Sequence, residues 1–338
     1  MQAGHCIMQF TTPVDIHKSR ETIDHKSKLM LLGSCFAQNI GQRLAQGKFD
    51  ICINPFGIIY NPLSIATVLK RIAKGTPFTE HSPEIFEYAE IWHSTLHHSD
   101  FSRKTKEELL CSINQSLQEA HERIKEVNYI VITFGTAYAY EQANDSSVVS
   151  NCHKLPANCF NRRLLNTEEA TNAMEEAMQT VVKQCPDAKF IFTVSPIRHL
   201  RDGAHDNQKS KATLLLVADE LQKRFPDNSE YFPAYEIMMD ELRDYRFYAD
   251  DMTHPSPIAV EYIWKKFANS HINTASLELC REIEDIYRAL GHRPFDTTSD
   301  AYKNFLQNTA KKITGLKERH PYLNFEKEIE RCNIPLSK

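Results

Sequence analysis

The chain has 338 residues, 41% of them hydrophobic and 25% charged, and a formal net charge of −4. That length can bury a full core in one large or two moderate domains, and the composition is that of a soluble globular protein. The mild acidity leaves no basic footprint for nucleic acid or an anionic membrane surface, and no apolar run approaches the roughly 20 residues of a membrane span.

The start, Met1 to Cys6, has neither a charged n-region nor an apolar h-region, so no leader is expected. Nine cysteines are scattered without a C-x-x-C pair, which predicts reduced thiols in a cytoplasm and no disulfide framework.

Met8 to Ile16 reads as a short extended entry piece. Lys28 to Leu32 is the first strand, and Phe36, Ile40 and Leu44 recur at helical spacing. Between them Gly33-Ser34 marks an abrupt strand-to-helix turn, where a small residue lets the backbone bend. A hydroxyl there projects from the strand's carboxyl end beside the free N–H groups of a helix start. Ser34 is therefore either an N-cap or a candidate nucleophile.

Phe49 to Ile53 is a second strand, running into the loop Asn54-Pro55-Phe56-Gly57-Ile58-Ile59-Tyr60-Asn61-Pro62. Ser64 to Ile72 is a helix, Ile85 to Trp92 a hairpin or lid, and Lys104 to Lys125 a long amphipathic helix. Tyr129 to Phe134 is a third strand ending at Gly135-Thr136, and Tyr138 to Val149 a small hairpin excursion. Thr167 to Lys183 is helical with Thr167 as its cap, and Lys189 to Val194 is a fourth strand stopped by Ser195-Pro196. Ser210 to Arg224 is helical, and Glu230 to Tyr235 a fifth strand. Ser256-Pro257 starts a helix through about Phe267, with Pro at its first position. Leu277 to Leu290, Ala301 to Ile313 and Phe325 to Cys332 are helices with no strand among them.

Alternating strands and helices predict a parallel sheet covered on both faces. Ligands of such sheets bind at the carboxyl ends of the strands. Those ends carry Gly33-Ser34, the Asn54 to Asn61 loop, Gly135-Thr136 and Ser195 to His199. The chain divides into a domain over residues 1–270 and a helical extension over 271–338.

The second chemical anchor is Asp250-Asp251-Met252-Thr253-His254-Pro255. An Asp three residues ahead of a His in a loop can hold the imidazole Nδ1–H and leave Nε2 to take a proton from a hydroxyl. Serine needs such a base to act as a nucleophile. The parts are then Ser34 as nucleophile, His254 as base and acid, and Asp251 as orienter; alternatively Asp251 and His254 only build a turn.

Here the sequence resembles a known family. Gly33-Ser34-Cys35-Phe36-Ala37 is the namesake motif of the GSCFA domain family. Asn54 to Pro62, His97 to Ser102, Thr133 to Thr136, Asn151 to Lys154, Ser195 to His199 and Asp251 to His254 look like its further blocks, over roughly residues 28 to 265. GSCFA domains are similar to SGNH, or GDSL-like, hydrolases. That similarity implies a flavodoxin-like three-layer α/β/α fold with a five-stranded parallel sheet. It also implies cleavage of an ester, an O-acyl group on a carbohydrate or lipid, by a Ser34–His254–Asp251 triad.

The likeness further implies an oxyanion hole with N–H groups from Ser34 and Gly57. This sequence departs from it in two places. The Asn usual after the third strand is absent, leaving Thr136 or Asn61 to substitute, and Gly-Ser-Cys stands where Gly-Asp-Ser is usual. Since one preorganised donor is worth about 10²–10³ in rate, an idle glycan- or lipid-binding module is the alternative, as is an O-acyltransferase with the same triad.

Cys35 is a second candidate nucleophile, disfavoured because the residue after the turn is expected to point into helix packing. His97, His98, His153, Arg198, His199 and Tyr60 are candidate substrate contacts, His97, His98 and His153 alternatively being loop residues. Trp92, Tyr60, Tyr138 and Phe101 form either a sugar-stacking wall or core. His93, His97 and His98 lack the partners of a zinc site, and no cofactor is called for.

Overall fold

The computed structural model describes residues 11–297 and 299–333. The first part of the expected entry piece, Met8 to Phe10, lies outside them. Its remainder forms no strand but lies along the core through Val14 and Ile16.

The elements follow in order. Strand β1 (Lys28–Gly33) leads to helix α1 (Cys35–Gln46), and β2 (Asp50–Ile53) to α2 (Pro62–Lys74). The hairpin β3 (Ile85–Tyr88) and β4 (Ile91–Ser94) precedes α3 (Lys106–Ile124) and β5 (Tyr129–Phe134). A small antiparallel sheet, β6 (Tyr138–Gln142), β7 (Val148–Val149) and β8 (Phe160–Leu164), is followed by α4 (Thr167–Val182). Then come β9 (Lys189–Val194), α5 (Gly203–Arg224), β10 (Ser229–Tyr231) and the one-turn α6 (Ala234–Glu236). Helices α7 (Pro257–His271), α8 (Thr274–Gly291), α9 (Asp300–Arg319) and α10 (Glu326–Asn333) complete the described chain.

The main sheet runs β2-β1-β5-β9-β10, and every pairing in it is parallel. Numbered within the sheet, this is the order 2-1-3-4-5 of doubly wound flavodoxin-like folds. Alternation along the strands builds the layers. Leu29 and Leu31 of β1 pack with α1 and α7, whereas Met30 and Leu32 face the opposite core with α2, α3, α4 and α5. β5 is the central strand, and all six of its residues are buried.

Three local expectations change. Asn166, not Thr167, caps α4, its side chain accepting from Glu169 N. The fifth strand stops at Tyr231 because Pro233 turns the chain into α6 and a π-helical turn over Ile237–Glu241. The third excursion strand, β8, was not anticipated, since Arg162 and Arg163 hide its alternation; both are held in ion pairs, with Asp202 and with Glu141 and Glu169.

The C-terminal helices enclose their own core around Ile283, Ile313 and Phe325. They are tied to the sheet domain by Lys48–Glu328 at 2.9 Å and by the Lys48 ammonium over Phe325. Among the described residues no helix is long and apolar enough to cross a membrane.

Two glycines leave no room for a side chain: Gly57, against the His98 side chain, and Gly33, at φ +133°, where a Cβ would lie 2.2 Å from the Thr133 carbonyl oxygen. Gly33→Ala is expected to cost roughly 3 kcal/mol through strain and overpacking. Gly315, inside α9 with no neighbour within 4 Å of a built Cβ, should gain up to about 1 kcal/mol as Ala. Urea denaturation of the two variants checks both signs.

Candidate active site

The site forms at the carboxyl edge of the sheet, between β1 and β5, where the strand order reverses. Ser34 ends β1 in extended backbone and caps α1, its Oγ accepting from Phe36 N at 3.3 Å. Its own N–H donates to Thr133 O, and its side chain is wholly enclosed, at 0% exposure. Ser34 is thus the cap that the sequence allowed.

Cys35, the first residue of α1, is only partly buried. Its sulfur lies 3.7 Å from the Tyr60 hydroxyl, and among the described residues its backbone N–H has no hydrogen-bond partner. That N–H is one of the orphan donors of a helix start.

The turn before α7 carries the second pair of groups. Asp251 Oδ2 accepts from His254 Nδ1 at 2.5 Å. Asp251 Oδ1 accepts the N–H groups of Thr253 and His254 at 2.9 Å each. These two backbone donors, His254 first, and then the imidazole hold the Asp251 carboxyl well below the usual carboxylate range. The pair is half exposed, at 48% for His254 and 50% for Asp251. Nδ1 being occupied, Nε2 is the nitrogen left to exchange a proton.

His199 bridges the two halves. Its ring meets Tyr60 edge-on at 5.7 Å between centroids. Burial, then the positive charges of Lys211 and His254, push it down to about 4. Burial also raises the Tyr60 hydroxyl above its ordinary range, so it stays protonated. Behind them Lys211, wholly buried and pushed down to about 7 by that burial, donates to the strand-end carbonyls of Gly135 and Ser195 at 2.8 Å each. Nothing in the sequence marks Lys211 as buried, because a lysine in an amphipathic helix normally signals its solvent side.

The structure brings together Asp251 and His254, and sets Cys35, Tyr60 and His199 against one another. It does not join Ser34 to His254: among the described residues no hydrogen bond links them. Several expected oxyanion donors are already committed. Gly57 N donates to Asn54 O at 2.7 Å, and the Ser34 N–H to Thr133 O. Asn61 caps α2, accepting from Ser64 N and donating to Ser64 Oγ. Thr136 donates its N–H to Tyr60 O, while its hydroxyl pairs with Ser210 and accepts from Tyr138 N.

Two expected substrate contacts belong to the interior. His97 is 0% exposed, stacked on Phe56 at 4.1 Å and hydrogen-bonded through Nδ1 to Ser94 Oγ. His153 is buried with Nε2 bonded to Ser94 O. His98 lies against Gly57 and pairs with Asp100. The imagined aromatic wall disperses: Phe101 packs on His97, Trp92 carries the Lys106 ammonium, and Tyr138 carries the Arg162 guanidinium. Tyr60 alone stays at the site. Among the described residues no three His, Cys, Asp or Glu side chains are grouped to hold a metal ion.

The GSCFA family model matches residues 28–267, spanning every element of this site. The chain belongs to the GSCFA family. A second match, to the C-terminal domain of GSCFA domain proteins, covers residues 283–338, that is, the end of α8 with α9 and α10. No curated protein matches the chain. In this GSCFA domain the namesake motif is therefore the turn that closes β1, caps α1 and sets the partly buried Cys35 against Tyr60.

The buried histidines predict the domain's acid response. His97 is held near 3 and His153 and His199 near 4, in each case first by burial. The unfolded chain, with histidines at about 6.5, then binds more protons than the folded one. Stability is full above pH 6.5 and is lost progressively as pH falls toward 4, at up to about 1.4 kcal/mol per pH unit for each histidine. Urea midpoints at pH 7, 6 and 5 should fall in that order, and His97→Gln should flatten the slope.

Proposed function

We propose that this GSCFA domain is an acyl-ester hydrolase of SGNH type, acting on an O-acyl group of a carbohydrate, with His254 as base and acid and Asp251 as its orienter. The observation that carries the reading is the 2.5 Å Asp251–His254 pair on a turn at the carboxyl edge of a flavodoxin-order sheet. A carboxylate fixed by two backbone N–H groups orients an imidazole, and the start of α1 lies at the carboxyl edge of the same sheet. Both are parts of acyl-transfer catalysis.

Burial favours Cys35 over Ser34 as the nucleophile. Ser34 Oγ is enclosed and engaged as a cap, whereas the Cys35 thiol is part exposed, and its own N–H is free to receive an oxyanion. In the reaction His254 Nε2 takes the nucleophile's proton, sulfur bonds to the ester carbonyl carbon, and the carbon–oxygen bond breaks with that proton passing to the leaving alcohol. Water, deprotonated by His254, then adds to the thioester carbonyl. The carbon–sulfur bond breaks, releasing the acid and restoring the thiol. A sugar hydroxyl in place of water makes the same site an O-acyltransferase.

With 4-nitrophenyl acetate as substrate, His254→Ala should lower kcat/KM by about 10²–10⁴-fold. Cys35→Ala should abolish turnover and iodoacetamide should block it. Ser34→Ala should keep turnover and lose about 1 kcal/mol of stability with its cap. Loss of turnover in Ser34→Ala with retention in Cys35→Ala makes Ser34 the nucleophile. Turnover indifferent to all three substitutions removes the hydrolase reading.

A further inference from the structure

Beside the dyad lies a cavity of about 460 Å³ lined by Arg198, Gln208, Tyr235, Asp240, Arg243 and Tyr245, among others. Its wall is continuous with the catalytic turn. Tyr248, also in the lining, bridges to Pro255 across the base of that turn, Ala249 N donates to His254 O at 2.8 Å, and Arg198 N donates to Thr253 O at 3.2 Å. Whatever fills the cavity therefore lies against the strand pair that carries Asp251 and His254.

Its chemistry is selective. Among the described residues neither the Arg198 nor the Arg243 guanidinium donates a hydrogen bond or forms an ion pair. Both groups are planar forks able to bind two oxygens at once. Two carboxylates, Asp240 and Asp244, share the lining, and Asp244 is already answered by Arg246 at 3.7 Å. With Asp244 paired to Arg246, Asp240 remains as the acceptor beside the two guanidiniums, so the lining is not a purely cationic pocket. Donors and acceptors side by side suit a ligand that presents hydroxyls, each of which donates and accepts.

The third component is aromatic. Tyr245 is 69% exposed, and its ring lies 6.0 Å from that of Tyr248 at 47°. Tyr235 forms the floor, fixed by its hydroxyl on Gln208 Oε1 at 2.8 Å. A large aromatic face left open beside unpaired planar polar groups is the mark of a binding site with apolar and polar needs together. A sugar ring has both: C–H faces for the tyrosines and equatorial hydroxyls for the arginines and Asp240.

We propose that this cavity is a saccharide subsite. It holds a neutral sugar ring on Tyr245 and Tyr248, with its hydroxyls bound by Arg198, Arg243 and Asp240. Its role of presenting an ester on that sugar to His254 rests on the hydrolase reading; its capacity to bind sugar does not.

The test is binding without turnover. Isothermal titration of the full chain with non-acylated xylotetraose, cellotetraose and mannotetraose, alongside tetragalacturonate and inorganic phosphate, reads the site directly. At least one neutral tetraose should bind. Tyr245→Ala and Arg243→Ala should each weaken it about tenfold or more, and Tyr245→Phe, which keeps the ring face, should retain it. The proposal is overturned if no neutral tetraose binds, if both alanine variants bind as the parent does while unfolding at the same temperature, or if phosphate or tetragalacturonate binds more tightly than every neutral sugar. Because no ester is cleaved, inactive Cys35→Ala or His254→Ala protein leaves this outcome standing on its own.

Discussion

The close passage of Gly33 over the Thr133 carbonyl sets the geometry of everything around it. β1 and β5 are neighbours in the sheet, and at Gly33 the two backbones come nearer than any Cβ allows. The Ser34 N–H still bonds to Thr133 O, so the chain stays in the sheet for one residue more and then turns into α1 within a single step. That abruptness decides which side chain goes where. The residue on the turn has its hydroxyl folded back onto the helix start, and the next one, rotated by the helix, reaches the cleft. Asn54 reinforces the arrangement from β2, its Oδ1 accepting the Gly33 N–H and its Nδ2 donating to Gln38 of α1.

A consequence of so compact a strand edge is that its backbone donors are mostly consumed by the fold. Gly57, Thr136 and Ser34, all at strand ends, bond to neighbouring carbonyls. Among the described residues the start of α1 leaves the Cys35 N–H without a partner, beside the one side chain of the motif that is not enclosed. Lys211 performs the opposite task. The carbonyls of Gly135 and Ser195 end adjacent strands with no strand partner beyond, and a buried ammonium gathers both. It thereby fixes the loop that leads to Thr136 relative to the one that leads to His199, and adds its field to the burial that keeps His199 neutral. A buried polar contact that satisfies two acceptors at once holds position more than it adds stability.

Much of this was legible from residue pattern alone. Apolar runs of five or six residues ending in Gly-Ser, Gly-Thr or Ser-Pro marked strands β1, β5 and β9 and the edge where the site lies. Asp251 and His254 were legible too, because their contact is local: three residues and a turn suffice to form it. What lay beyond reach was whatever depends on one residue's rotation or on distant packing. Ser34 and Cys35 differ by a single helical step, and no periodicity tells a capping side chain from a cleft-facing one at the first turn. His97 and His199 look alike in sequence, yet one is stacked on Phe56 with Phe78 edge-on to it and the other lies against Tyr60. The difference arises from the hairpin β3–β4, whose placement is set by contacts remote in the chain. β8 was hidden because two adjacent residues, Arg162 and Arg163, break its alternation and find carboxylates only after folding.

The two halves of the cleft consequently differ in how they are held. Cys35, Tyr60 and His199 stand on elements whose backbones are locked into the central sheet and whose surroundings are buried. The Asp251–His254 turn is closed by its own hydrogen bonds, Ala249 N to His254 O and Ser256 N to Phe247 O, and is half open to solvent. Its link to the sheet runs through Arg198 N to Thr253 O, at the end of β9. The Cys35 side is thus held by the sheet, and the Asp251–His254 side by the few backbone bonds of its own turn. In apo structures catalytic hydrogen bonds are commonly long and tighten only when substrate is bound. Under the proposed hydrolase reading, the hydrogen bond between His254 and the nucleophile forms only with substrate bound.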